Sequence, residues 1–384
     1  MLALLRNQKV RGILFQILTI VGVVAFLWYI GLNTTHNIEQ RGIKTGFDFL
    51  SGTAGFGIGE SPISFHESDT YARVFLVGLL NTLIIGFVGI IFSTLLGLFI
   101  GIMRLSDNWL IKKMAATYID IFRNIPILLQ ILFWYNMVIS MLPSPRQSID
   151  FFGIIFLNNR GFLIPRAAMN STTISVIVSL VVVFISLIFL NKWANKRKEE
   201  TGKDFPIVLF GFGILIFFPA IAYFIGGGNF NFDYPHFQSF NFKGGKSISP
   251  EFLALTFALV IYTATFIAEA VRSGIEAVST GQKEAASSLG LSSYQALKLV
   301  VLPQAVRIAI PPIINQYLNL IKNSSLAAAI GYPEIVSVFA GTSLNQVGQA
   351  IEIISITMLV YLTISLVVSA LLNWFNYKMK IKEK

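Results

Sequence analysis

The chain has no cysteine in 384 residues and only three histidines, His36, His66 and His236. The first absence excludes disulfide frameworks, thiolate nucleophiles, zinc ribbons and iron–sulfur ligation together. The second makes a histidine-rich metal site a poor expectation. Charge is scarce as well: charged residues make up 12% of the chain, about half the roughly 25% of an ordinary soluble domain. A nucleotide-binding loop of the form G-x-x-x-x-G-K-[ST] is also missing. Gly245-Lys246-Ser247 comes nearest, but Phe240 stands where the first glycine belongs. No period of 20–50 residues repeats, which argues against solenoids and propellers.

What fills the chain instead is apolar side chain. Hydrophobic residues reach 54% and the mean hydropathy is +0.70, more than a water-soluble fold can bury. A spanning helix needs about 20 mostly apolar residues, because the hydrocarbon layer is about 30 Å thick. Eight stretches qualify: 13–32, 74–103, 124–142, 173–190, 205–225, 251–271, 305–326 and 351–375. The expected fold is therefore an all-α integral membrane protein with about eight transmembrane helices. The first stretch follows Arg6, Lys9 and Arg11 like a secretory signal, but no small-residue cleavage site follows it, so it is read as a retained span.

The net charge of +10 comes from 29 Lys and Arg against 19 Asp and Glu, scattered between apolar runs with no continuous basic stripe. That distribution speaks against a nucleic-acid partner and for topology marking. With the N-terminus inside, the segments 1–12, 104–123, 191–204, 272–304 and 376–384 hold nineteen basic residues and the opposite side holds eight. The bias places both termini in the cytoplasm. The loop 143–172 is the weak point, with three arginines outside.

One cytoplasmic segment, 272–304, is too polar to span and is patterned as helix–turn–helix. Ser279 with Gln282 has capping-box spacing for a short first helix carrying Ala285, Ala286 and Leu289. Gly290 suits a left-handed stop. Ser292 with Gln295 can cap a second helix through Leu299, and Pro303 suits the first turn of the next span. Such a pair is either a docking knob, with Glu284 as its exposed charge, or a folded connector.

The run Glu284-Ala285-Ala286, Gly290 and Leu302-Pro303 resembles the EAA loop of ABC importer permeases, with Val300 where isoleucine is usual. The likeness continues through Tyr262-Thr263-Ala264, Ala268-Glu269, Gly281-Gln282, Pro311-Pro312 and Lys322-Asn323-Ser324-Ser325. It includes Asn81-Thr82-Leu83 and Arg123-Asn124-Ile125-Pro126 in the N-terminal half. Together these look like the polar amino-acid branch, and the length and Asn159-Arg160-Gly161 look most like its long Q-type general L-amino acid permeases. The resemblance covers about residues 45–380. It implies the type I importer fold, with an extra N-terminal helix and periplasmic segment in 1–72. It also implies a transmembrane domain in 73–380 that carries a 143–250 insertion and the 272–304 coupling loop.

The function it implies is a permease subunit of an ATP-driven importer of L-amino acids in a bacterial inner membrane, not itself an enzyme and with no cofactor of its own. Expected partners are an ATPase dimer that binds ATP, a related second permease, a periplasmic amino-acid-binding protein, the L-amino acid and membrane lipid. The coupling residues implied are Gly281, Gln282, Glu284, Ala285, Ala286, Gly290, Leu302 and Pro303. The alternative class is an ion-gradient-driven secondary transporter, which should show inverted repeats and midmembrane acidic residues.

Polar residues inside spans are the remaining candidates. Asn315, Asn319 and Lys322 recur at i, i+4 and i+7 and so share one helix face, expected to point into the bundle. With Ser325, that face is a candidate substrate path in which Lys322 meets a carboxylate. The opposing reading is a lysine that snorkels or pairs with an acid for folding alone. Glu269 lies three residues before Arg272, as Asp120 does before Arg123, so a local ion pair competes with a substrate role. A stripe of small residues, Gly78, Thr82, Gly86, Gly89, Ser93, Gly97 and Gly101, marks close helix packing within the chain or between subunits.

Overall fold

In a computed structural model, residues 8–42, 44–202 and 204–379 are described. Of the basic residues counted above, Arg6, Lys203, Lys380, Lys382 and Lys384 lie outside that set. The apolar runs form long helices, as hydrocarbon requires of any segment that must satisfy its own backbone hydrogen bonds. In chain order they are α1 (Gln8–Gln40), α2 (Tyr71–Arg104), α3 (Trp109–Asn124), α4 (Ile127–Met141), α5 (Ser171–Thr201) and α6 (Ile207–Ile225). Then follow α7 (Pro250–Glu276), α8 (Thr280–Ser288), α9 (Ser293–Ala296), α10 (Leu302–Asn323), α11 (Leu344–Val347) and α12 (Ala350–Met379). Among the described residues, seven helices are long and apolar enough to cross a membrane, or eight if α3 and α4 count as one broken span.

That broken pair departs from the expected third span. Alone, α4 has 15 residues, or about 22 Å of helix, short of the hydrocarbon thickness. Its start is set by Pro126, which cannot donate a backbone hydrogen bond and so favours a helix beginning. The preceding stretch, expected as a cytoplasmic connection, is the amphipathic helix α3. Asn108 Oδ1 accepts the Leu110 amide at 2.9 Å at its start, and Ala115 and Ile119 are buried against Ile100 and Ala268.

The chain forms two compact units, residues 1–124 with 259–384, and residues 125–258. In the first, α2 is the central element. Its seven small residues are all buried, and their contacts lie within the chain. A Cβ added at Gly97 would sit 2.6 Å from Ile267 Cβ, and one at Gly78 would sit 2.8 Å from Ile335 Cα. Gly86 and Gly89 meet Ile321 and Leu320 of α10, and Gly101 meets Val271 of α7. The stripe is thus the groove into which α7, α10 and the 331–343 connection pack, which decides the question the sequence left open.

The second unit contains eight short strands, which the all-α expectation did not include. They are β1 (Ile149–Phe151), β2 (Ile155–Asn158), β3 (Gly161–Ile164), β4 (Arg166–Ala167), β5 (Phe232–Asp233), β6 (His236–Gln238), β7 (Asn241–Lys243) and β8 (Lys246–Ile248). The largest sheet has the order β1-β2-β3-β8, antiparallel throughout, with Phe156 opposite Leu163 and Ile164 opposite Lys246. Two pairs, β4–β5 and β6–β7, complete the strand structure. The α5–α6 hairpin is tied at one end by Ser171 and Thr172 hydroxyls, both donating to the Gly226 carbonyl. The Asn170 side chain caps α5 by accepting the Thr173 amide at 2.8 Å. At its other end α5 runs on to Thr201, eleven residues past the expected end of the span, as a charged overhang on which Lys196 and Glu200 pair and which Gly202 stops in the left-handed region.

Candidate functional site

The segment 277–301 folds as the spacing predicts in outline, with two corrections at its helix ends. Ser279 starts α8 without a side-chain cap. Gln282 instead turns towards α10, where its Oε1 accepts from Gln304 Nε2 at 3.5 Å. At the far end Gly290 has φ +77°, the Gly290 amide donates to Ser287 O at 2.9 Å, and the Leu291 amide donates to Ala286 O at 3.2 Å. Those two bonds form the paired stop that a glycine in the left-handed region permits. Ser292 and Gln295 then make a reciprocal capping box at the start of α9, as expected.

The second correction concerns the next span. α9 does not end before a new helix begins at Pro303; a π-helical turn, Leu297–Val301, carries it directly into α10. Proline has no amide to return to the preceding turn, so a carbonyl is released there. The Gln304 side chain covers a neighbouring one by donating to Val300 O at 3.0 Å. The short helix is therefore a rigid extension of the membrane helix. The base of the loop is fixed by a cluster of Val278, Val301 and Ala305 with Ile275.

Outward, the loop displays apolar side chain. Leu289 is 81% exposed, Tyr294 69% and Leu299 61%. Gly281, Gln282, Glu284, Ala285 and Gly290 are exposed beside them, whereas Ala286 is buried. Leu302 and Pro303 are exposed on the first turn of α10. Both short helices are held at their ends; Leu289 and Leu299 stand open to solvent, and the Lys298 ammonium lies over the Tyr294 ring at 5.9 Å.

The polar face of α10 also needs a correction. Asn315, Asn319 and Lys322 do share a face, but it is exposed on this chain and does not point into its own packing. The packing side of the helix is occupied by Ala305, Ala309, Leu320 and Ile321, the last two seated on the glycines of α2. Among the described residues, no carboxylate pairs with Lys322. Ser325 spends its hydroxyl on the Lys322 carbonyl at 2.7 Å. Glu269 is held by Arg272, with Oε2 at 2.8 Å from Nη2 and 3.1 Å from Nε. Arg272 also bonds Glu276, so the local ion pair expected from spacing is part of a triad. Arg123 differs: its guanidinium lies over the Phe266 ring at 5.4 Å, and no ion pair with Asp120 forms among the described residues.

Sequence reasoning did not find a buried polar junction beside the start of α2. Asn81 Nδ2 donates to the Glu60 and Pro333 carbonyls, each at 2.9 Å, and the Ile335 amide donates to Thr82 Oγ1 at 3.2 Å. Glu334, with no exposed surface, accepts the amides of Val336 at 2.9 Å and Ser337 at 2.7 Å, and the Tyr361 hydroxyl at 3.4 Å. Burial raises the Glu334 carboxyl to about 7 against the pull of those hydrogen bonds, and it raises the Tyr332 phenol too. The available signal was a lone acid in the apolar run 326–340, next to a proline.

Comparison with known proteins bears on this arrangement. The family model for binding-protein-dependent transport system inner membrane components matches residues 151–381. The chain is 48% identical over 381 residues to the amino-acid ABC transporter permease protein YhdX of Escherichia coli, covering 98% of this chain and 96% of that one. It is 47% identical over 378 residues to the general L-amino acid transport system permease protein AapQ of Rhizobium johnstonii, covering 98% and 94%. With the glutamate/glutamine/aspartate/asparagine transport system permease protein BztB of Rhodobacter capsulatus it shares 37% identity over 413 residues, covering 99% and 96%. Nothing in these likenesses supports the ion-gradient alternative.

Proposed function

The chain belongs to the family of binding-protein-dependent transport system inner membrane components, and from that premise we propose that it carries L-amino acids across the membrane in an ATP-driven importer. The ATPase is a separate dimer. Its docking element is the loop of α8 and α9, with Gly281, Gln282, Glu284, Ala285, Ala286, Gly290, Leu302 and Pro303 forming or shaping the contact. The observation that carries this reading is the rigid exposed knob of Leu289, Tyr294 and Leu299 on a chain that has no nucleotide-binding loop of its own. Because α9 is continuous with α10 through the π turn, displacement of the knob moves a membrane helix as one piece.

The open face of Asn315, Asn319 and Lys322 lines the path, completed by a related second permease, and Lys322 meets the substrate carboxylate. A binding protein delivers the amino acid from outside. Both termini are cytoplasmic. Residues 1–72 add a helix and an outer segment to a transport domain in 73–380, with 143–250 as its insertion. Affinity purification in mild detergent tests the assembly: an ATPase and a second permease co-purify. Isolation of this chain alone, under conditions that keep related importers assembled, would refute it.

A further inference from the structure

The outer segments 143–170 and 226–249 contain five basic residues, Arg146, Arg160, Arg166, Lys243 and Lys246, against two acidic ones, Asp150 and Asp233. All five cations are exposed. Both carboxylates are engaged by the backbone: Asp150 Oδ1 accepts the Gly153 amide at 2.7 Å, and Asp233 Oδ2 accepts the Gly245 amide at 3.0 Å. None of the five cations forms an ion pair among the described residues, and Arg146 lies over the Phe240 ring at 5.1 Å.

The turn between β1 and β2 is the unusual part of this surface. Phe152 and Gly153 have φ +60° and +71°, and the Ile154 amide donates to Phe151 O at 3.3 Å. Two successive left-handed residues make a tight hairpin turn whose first position ordinarily takes Asn, Asp or Gly. Here it holds a phenylalanine that is 95% exposed. An aromatic ring on a rigid turn, in a backbone region that disfavours it and covered by nothing on its own chain, is the form of an interface anchor. Strand register places the turn and Lys246 at the same end of the sheet, since Phe151 pairs Ile155, Phe156 pairs Leu163 and Ile164 pairs Lys246. The β6–β7 pair, which ends at Lys243, joins this sheet through the Phe156 and Phe242 rings, 4.6 Å apart.

We infer that this sheet is a docking surface for the extracytoplasmic binding protein, with Phe152 seated in a pocket of that partner and Lys243 and Lys246 facing its acidic side chains. The inference rests on the importer reading above, which places the sheet outside and requires such a partner. Five exposed cations against two carboxylates, both already engaged by backbone amides and neither in an ion pair among the described residues, leave this surface net basic beside an exposed aromatic. That favours an acidic protein face, where the ring is buried and the charges steer approach.

The test uses the assembled transporter in nanodiscs of phosphatidylcholine and the amino-acid-binding protein that stimulates its ATP hydrolysis. Phe152→Asn keeps the turn, because asparagine accepts the left-handed region. It raises the half-saturating concentration of binding protein about tenfold or more while basal hydrolysis stays unchanged. The double change Lys243→Glu and Lys246→Glu also raises it and flattens its dependence on salt. Variants indistinguishable from the wild type would overturn the surface. So would a Phe152 effect that appears only when phosphatidylglycerol is added, which would assign the hairpin to lipid. A wild-type complex that no binding protein stimulates would instead overturn the importer reading on which the surface depends.

Discussion

Replacing Glu334 by glutamine should flatten the pH dependence of stability. The carboxyl sits between the last two spans with no solvent access, and Tyr332, Tyr361 and Glu60 are the other titratable groups around it. Its folded-state value is raised from 4.5 to about 7, with desolvation outweighing the amide hydrogen bonds. The folded protein therefore holds this proton more tightly than the unfolded chain. The resulting stability is complete below pH 4.5 and is lost as pH rises through 7. At 1.36 kcal/mol per pH unit, the loss between those values is about 3 kcal/mol. In detergent, the thermal midpoint of the wild type should fall from pH 5 to pH 8, and Glu334→Gln should lose most of that slope. Amide exchange should report the change locally, in residues 45–70, because Asn81 ties Glu60 to Pro333 beside the buried acid. Equal slopes for the two proteins across that window would refute the reasoning.

Three further outcomes follow from the packing and the site. Gly97→Leu forces a side chain where even a Cβ lies 2.6 Å from Ile267; overpacking costs about 1–3 kcal/mol or more, to be read as lower yield and thermal midpoint. Gly290→Val imposes a left-handed β-branched residue at φ +77°, at a cost of about 1–2 kcal/mol. It should weaken ATPase co-purification while the chain still inserts; unchanged co-purification would sink the docking role. Lys322→Met should lower uptake without lowering membrane abundance, whereas loss of both would make the lysine a folding residue.

The parts legible in the sequence were those governed by one strong, local signal. Span positions followed from uninterrupted apolar length, and Gly290 and Ser292 followed from end-capping chemistry, which acts within three or four residues. The small-residue stripe on α2 was visible, but its occupants were not, because Ile267, Leu320 and Ile335 are distant in sequence. The break at Pro126 was hidden by apolar residues on both sides, which hydropathy reads as one segment. The π turn escaped because Pro303 is equally compatible with a helix start. The strands have two to four residues each, too short for alternation to register. Polarity and period set the shared face of Asn315, Asn319 and Lys322, but only packing showed that Leu320 and Ile321 take the inner side. Glu334 carried no periodic signal; its importance comes from burial alone.

Transport measured in proteoliposomes tests the central claim most directly. With this chain, its partner permease, the ATPase and the binding protein reconstituted together, uptake of an L-amino acid should require ATP on the ATPase side and should persist when ion gradients are collapsed. Uptake by the membrane subunits alone, driven by a sodium or proton gradient and indifferent to ATP, would contradict the account.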